Sequence, residues 1–296
     1  MRQGIINKLH SSKKWESVQR GWYNFSRNNL SVLGLVIVLS IILIAILAPV
    51  ISPHPESVGR YVNFEAAKQA PNAKYWFGTD IFGRDILTRT IFAFRYSLFM
   101  AVMVIIMAAP LGVTLGLIAG YFQGTKIDSI IMRSTDIFLA VPPLILAMAI
   151  CSVLVPSLGN TILAIGALWW TWYTRMVYSM VTSLRGEFFV YAAELPGASN
   201  LHILFKEILP NCLSEILTKM TLDVGAVVMI GSSLSFVGLG AQPPTSDLGN
   251  MIADATQYLP DQWWMAIFPG VSLMIAVMAF NLLGDGIRDM YQVEEA

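Results

Sequence analysis

The stretch Val32-Leu33-Gly34-Leu35-Val36-Ile37-Val38-Leu39-Ser40-Ile41-Ile42-Leu43-Ile44-Ala45-Ile46-Leu47 contains no charged residue and gives way to Pro49 and Pro53. A bilayer core of roughly 30 Å asks for about 20 consecutive apolar residues in a helix. The run suits a spanning helix that terminates at an interface. It does not read as a cleaved signal, because the polar lead-in 1–31 is too long, the apolar run too extended, and no small-residue cleavage pattern follows. Five further apolar runs lie at 98–119, 137–154, 162–177, 213–237 and 265–283. The expected fold is all-α and polytopic, with six transmembrane helices. Pro142 and Pro143 interrupt the third run, and the tract Trp169, Trp170, Trp172, Tyr173 fills the fourth. Kinked or interfacial helices tolerate both features.

Composition agrees with this reading. The 296 residues are 55% hydrophobic and 13% charged, against about 25% charged in a soluble domain, so a single soluble domain with a polar surface is excluded. Collagen, disorder and a disulfide scaffold are excluded as well. A net charge of zero supplies no global basic field for nucleic acid, and the basic residues must be read by position. Cys151 and Cys212 sit inside apolar segments, where a free cysteine behaves as a small core hydrophobe.

The expected division is a cytoplasmic amino-terminal segment at 1–31, a first transmembrane helix at 32–51, and an extracytoplasmic loop at 52–95. A five-helix core at 96–288 contains a cytoplasmic loop at 185–210, and a cytoplasmic tail follows at 289–296. Orientation rests on Arg2, Lys8, Lys13, Lys14, Arg20 and Arg27 against the single acid Glu16, which place the amino terminus inside. Six spans then place the carboxyl terminus inside too. The segment 238–264 carries no basic residue, as an outside segment should. The loop 52–95 breaks the pattern with Arg60, Lys68, Lys74, Arg84, Arg89 and Arg95. Residues 13–28, with Trp15, Trp22, Tyr23 and Phe25 among basic residues, read as an interfacial amphipathic helix or an ordinary juxtamembrane anchor.

The most informative cytoplasmic stretch reads Val190-Tyr191-Ala192-Ala193-Glu194-Leu195-Pro196-Gly197-Ala198-Ser199, then Ile203-Leu204-Phe205-Lys206-Glu207-Ile208-Leu209-Pro210-Asn211. Two short helices broken by a glycine fit it. Ala192 and Ala193 allow a partner to approach closely, Gly197 makes the turn, and Pro210 opens the next helix. Such a knob has something to push against; by spacing alone it is equally an ordinary helical loop.

Further blocks occur in order along the chain. They are Trp76-Phe77-Gly78-Thr79-Asp80 with Gly83-Arg84-Asp85, then Ala119-Gly120-Tyr121-Phe122 with Gly124, Asp128, Met132, Arg133 and Asp136. Leu234-Ser235-Phe236-Val237-Gly238-Leu239-Gly240 with Gln242-Pro243-Pro244 follows, and Asn281-Leu282-Leu283-Gly284-Asp285-Gly286-Ile287-Arg288-Asp289 closes the set. With these blocks the chain resembles the C-type inner-membrane permease subunits of the dipeptide, oligopeptide and nickel class of binding-protein-dependent ATP-binding-cassette importers, over nearly its full length. The resemblance implies the type I importer transmembrane-domain fold and a bacterial inner-membrane location. It further implies that the stretch around Ala192 and Gly197 corresponds to the family's E-A-A-x-x-x-G signature, which docks into a cytoplasmic ATPase. Implied coupling residues are Glu187, Tyr191, Ala192, Ala193, Glu194, Gly197, Ala198, Ser199, Leu209 and Pro210. Implied partners are a second homologous permease, two cytoplasmic ATPases that bind ATP and magnesium, an extracytoplasmic solute-binding protein received by 61–95 and 240–262, and membrane lipid.

The sequence departs from the family pattern at four places. Tyr191 stands where the first Glu of the signature is usual, and Pro196 replaces an apolar residue. Leu248, preceded by Asp247, replaces a Trp, and no Asp-Pro follows Asp289. Glu187 or Glu194 supplies the missing carboxylate from a neighbouring turn, or shape alone makes the contact.

Ionisable residues within spans are costly and mark functional candidates. Glu215, Lys219 and Asp223 follow one another at i, i+4 steps on one face of the fifth helix. The stripe either lines a wet translocation path or neutralises itself in packing. Arg133 and Asp136 are expected to fix helix packing. An intramembrane aspartyl protease would need a second matching carboxylate motif, and Asp285 is expected at a helix end. His10, His54 and His202 show no metal spacing. The chain contains no G-x-x-x-x-G-K-[ST] motif, so it is expected to bind no cofactor and to leave hydrolysis to another polypeptide. The reading is a transport subunit for di- or oligopeptides, with nickel chelates, glutathione and oligosaccharides as alternatives for the same machinery. A stand-alone secondary transporter would show inverted halves, which the sequence lacks.

Overall fold

The computed structural model describes residues 19–291. Helix α1 covers residues 19–27, followed by α2 (Asn29–Ile51), α3 (Ile86–Tyr121), α4 (Lys126–Leu139), α5 (Pro143–Val153) and α6 (Leu158–Leu184). Then come α7 (Phe188–Glu194), α8 (Asn200–His202), α9 (Leu209–Phe236), α10 (Leu248–Thr256) and α11 (Trp264–Tyr291). Among the described residues there is no β-strand, and the all-α polytopic reading holds.

The count of six spans does not follow from length and composition alone. Helices α2, α3 and α11 are long and apolar enough to cross a membrane, and α4 with α5 forms a fourth, bent candidate. Helices α6 and α9, at 27 and 28 residues, are long enough but carry too many polar and charged side chains to reach that apolar level.

Several expected boundaries shift, each for a local reason. The second helix starts at Ile86, not near residue 98, so it takes residues 86–95 out of the expected 52–95 loop. Its cap is Asp85, whose carboxylate accepts from the Thr88 backbone N–H at 2.9 Å and from the Thr88 hydroxyl at 2.6 Å. The third run breaks completely, and α4 and α5 meet at 84°. Pro143 keeps Pro142 extended and itself lacks an N–H, so no helical bond bridges the join. The last helix continues to Tyr291. Asp285 therefore lies inside α11 rather than at its end, and the helix takes up the first residues of the expected 289–296 tail.

Packing centres on α3 against α6. Gly112, Gly116 and Gly120 recur every fourth residue on the α3 face that meets α6, and a Cβ on Gly116 would stand 2.7 Å from the Thr174 carbonyl oxygen. Small residues at this spacing let two backbones touch. Gly116→Leu is therefore expected to destabilise the folded permease by about 1–3 kcal/mol, read as a lowered thermal midpoint in detergent. Around this seam lies a core that includes Val104, Ala108, Ile165 and Tyr173.

Of the expected interfacial helix at 13–28, residues 13–18, with Trp15, lie outside the described residues. Within α1, Trp22 and Tyr23 are exposed, while Phe25 is buried and stacks on Trp22 at 5.7 Å. The Asn28 amide donates to Asp289 at 3.3 Å, and Gly286 packs against Ser31 and Phe25. The start of α2 and the end of α11 thus lie together.

Candidate ATPase-coupling knob and helix-borne charge pair

The knob at 185–210 is built from its turns outward. Helix α7 ends before Gly197, whose φ of +84° is a left-handed conformation natural to glycine. The Ser199 hydroxyl then caps α8, accepting from the His202 N–H at 3.3 Å. Pro210 stands in the first turn of α9, as expected, but no break in the helix precedes it. Residues Ile203–Ile208 form a widened π turn that runs straight into α9. Pro210 has no N–H to give the Lys206 carbonyl, and its ring crowds that group; the Leu209 N–H bonds instead to the Leu204 carbonyl.

The knob has two faces. Inward, Val190, Ile203, Leu204, Ile208 and Cys212 are buried against Leu117, Tyr121, Val177 and Val181. Outward, Phe188 is 90% exposed, Leu195 87% and Leu201 69%, with Tyr191 and Phe205 about half exposed. Clustered exposed apolar side chains mark an interaction surface.

The expected coupling residues distribute over both faces. Tyr191 joins the apolar outer face, and Ala192 is exposed beside it. Ala193 and Ala198 are half-buried, tied by the Ala198 N–H to Ala193 carbonyl bond at 3.2 Å. Glu194 accepts from the Tyr121 hydroxyl at 3.2 Å. Glu187 precedes α7 and uses its backbone carbonyl, which accepts from the Val190 N–H at 3.1 Å, with no side-chain cap. Leu209 is half-buried and Pro210 exposed at the start of α9. Phe188, Leu195 and Leu201 were not among the expected residues. Their signal was present, since Phe188, Tyr191 and Leu195 stand at i, i+3 and i+7, one face of a helix.

On α9 the charged stripe divides. Lys219 forms an ion pair with Asp223, which is buried. The Lys219 ammonium also lies 5.7 Å from the Tyr173 ring centroid and 5.9 Å from that of Trp172. Glu215 is exposed and, among the described residues, makes no ion pair. Two of the three expected path residues are thus brought together and the third is not. Arg175 on α6 bonds Asp136 on α4 at 2.7 Å, with both side chains about half exposed. That contact ties the two helices.

The segment between α2 and α3 is held by a second charged cluster. The Asp80 carboxylate accepts from the Phe82 and Arg84 backbone N–H groups at 2.9 Å and from Arg84 Nε at 2.6 Å, with Arg89 Nη1 at 3.6 Å. Arg84 and Arg89 are buried, so two of the basic residues that break the loop-charge pattern are internal ion-pair partners. Asp254 on α10 faces the same cluster across a small cavity lined also by Met251 and Met265. Burial pushes the Asp254 carboxyl above the ordinary carboxylate value, and the Arg89 and Arg84 guanidiniums pull it back. Among the described residues, no three His, Cys, Asp or Glu side chains are grouped to hold a metal ion, and both cysteines are free and buried.

The sequence matches known families and proteins over most of its length. Residues 112–292 match the family of binding-protein-dependent transport system inner membrane components. Residues 17–71 match the N-terminal transmembrane domain of oligopeptide transport permease C. The chain is 43% identical to the dipeptide transport system permease protein DppC of Alkalihalophilus pseudofirmus over 263 residues, covering 89% of this chain and 85% of that protein. It is 37% identical to the protein of the same name from Haemophilus influenzae over 275 residues, 92% and 93% of the two chains. It is 36% identical over 261 residues to a probable D,D-dipeptide transport system permease protein of Escherichia coli, 88% of this chain and 86% of that one. The chain therefore belongs to the family of binding-protein-dependent transport system inner membrane components, and it is a membrane transport subunit rather than an enzyme.

Proposed function

We propose that this chain forms half of the translocation pathway of an ATP-driven importer of di- or oligopeptides and that its knob at 185–210 is the ATPase-coupling site. The observation that carries the reading is the apolar outer face of Phe188, Tyr191, Leu195 and Leu201, which a soluble partner would cover. Peptides follow from the names of the relatives, which are dipeptide permeases. The other half of the pathway is a second, homologous permease, and ATP with magnesium binds to two partner ATPases. A loaded binding protein is received on the opposite side by the segment between α2 and α3 together with residues 240–262.

In this reading α2, α3, the bent α4–α5 pair, α6, α9 and α11 are the six crossings, and both termini are cytoplasmic. The contact between Asn28 and Asp289 supports an even number of crossings, because it brings the start of α2 and the end of α11 to one side. Glu194 or Glu187 supplies acidic character beside Tyr191 on the knob. Lys219 and Asp223, with Glu215 nearer the cytoplasm, border the pathway on α9.

Reconstitution tests the reading. The chain alone in vesicles should take up no peptide under an ion gradient or ATP. With a second permease, the ATPases and the binding protein present, uptake should require ATP and rise with loaded binding protein. Gradient-driven uptake by the single chain would overturn the proposal in favour of a secondary transporter.

A further inference from the structure

Helix α3 is a single helix from Ile86 to Tyr121, with Pro110 in its interior leaving one backbone bond of the ladder unmade; at about 1.5 Å per residue its 36 residues span roughly 54 Å. Each end is built into the segment it meets. At the first turn, the Asp85 backbone N–H donates to the Ser57 hydroxyl at 3.0 Å, the Asp85 carboxylate caps Thr88, and Arg89 reaches Asp80. These contacts tie the segment between α2 and α3 to the first turn of α3.

At the last turn, the Tyr121 ring is 6% exposed and packs in the core of the knob. Its hydroxyl lies within hydrogen-bond distance of two acceptors, Glu194 Oε1 on α7 at 3.2 Å and Asn200 Oδ1 on α8 at 3.3 Å. The Arg185 guanidinium, at the end of α6, lies 5.3 Å from the Tyr121 ring centroid. One side chain thus joins α3 to both arms of the knob and to the end of the helix that leads into it. The two acceptors flank Gly197, the turn at which the arms would otherwise hinge.

We propose that Tyr121 is a positioning residue for coupling, whose hydroxyl clamps both arms of the knob to the end of α3 so that α3 relays motion between the knob and the extracytoplasmic segment. The inference rests on the knob being the ATPase-docking element. A group that only stabilised the fold would change the amount of assembled complex and would scale uptake and hydrolysis together. A relay would change their ratio.

The test uses the complete complex of permease pair, ATPases and binding protein in vesicles, with a dipeptide as solute. Tyr121→Phe keeps the ring and removes the hydroxyl. It should assemble, yet lower both the stimulation of ATP hydrolysis by loaded binding protein and the peptide moved per ATP by about fivefold, the scale that one net hydrogen bond sets. Asn200→Asp, which keeps an acceptor oxygen, should stay within about twofold of wild type, whereas Asn200→Leu should reproduce the Tyr121→Phe defect. Wild-type coupling in Tyr121→Phe, or equal behaviour of the two Asn200 variants, would overturn the relay. Failure of the underlying reading appears separately, as retained ATPase association when Leu195 is replaced by Glu.

Discussion

A complete complex carrying Leu195→Glu should lose its ATPase subunits on purification and show no ATP-driven uptake. Leu195 is 87% exposed, so within this chain the substitution removes almost no packing, and surface changes of that kind usually stay within about 0.5 kcal/mol in stability. Its effect must come from what covers the residue. An apolar anchor at the centre of an interface contributes about 2 kcal/mol or more, and a carboxylate placed in an apolar cleft adds a desolvation cost. Together these predict at least about thirtyfold weaker association. Phe188→Glu should behave alike, since Phe188 is equally open and lies on the same face of α7. Co-purification measures association, and circular dichroism of the variant permease checks that the helices remain. Normal association and uptake by both variants would refute the coupling assignment. Substitution at Gly197 is a poorer probe. A Cβ there meets nothing within 4 Å, but the φ of +84° strains any L side chain, so a defect would report the turn rather than the interface.

The parts of this architecture that depend on local physics were legible in the sequence, and the parts that depend on neighbours were not. Residues 32–47 could only be a buried or lipid-facing helix, and α2 covers them. The Pro142-Pro143 step announced an interruption, but not the 84° bend or the packing of α5 on α6 and α9. The early start of α3 carried a signal that apolarity alone overlooks, since Asp85 followed by Thr88 is a cap spacing. Gly197 marked the turn of the knob because glycine alone adopts that backbone readily. The outward aim of Phe188 and Leu195 required knowing that Val190, Ile203 and Ile208 turn inward onto Leu117 and Val181. Arg84 and Arg89 look like exposed loop charges until Asp80 is seen to gather them. Likewise the i, i+4 spacing joined Lys219 to Asp223 correctly. It offered no ground for leaving Glu215 out, because that depends on which face of α9 is covered.

The Lys219–Asp223 pair should show a marked asymmetry when it is cut from either side. The Asp223 side chain is 3% exposed and that of Lys219 26%. Lys219→Met would strand a buried carboxylate with no cation beside it, a loss of about 3–5 kcal/mol for breaking a buried pair. Asp223→Asn removes the buried charge instead and leaves an ammonium that still faces the rings of Trp172 and Tyr173. Its cost should be smaller, about 1–2 kcal/mol. The double variant Lys219→Met with Asp223→Leu leaves neither charge, and replacing a buried ion pair by apolar groups of similar volume is often close to neutral. Its thermal midpoint should therefore recover most of what Lys219→Met loses. Transport then separates the two roles open to the pair. If it only neutralises itself in packing, the stable double variant should carry peptide at the wild-type rate. If it borders the pathway, the double variant should assemble, bind ATPase and hydrolyse ATP, while peptide uptake falls about tenfold or more, the equivalent of about 1.4 kcal/mol of lost stabilisation along the path. Equal destabilisation by Lys219→Met and Asp223→Asn would refute the assigned burial, and wild-type uptake by the double variant would remove both residues from the pathway.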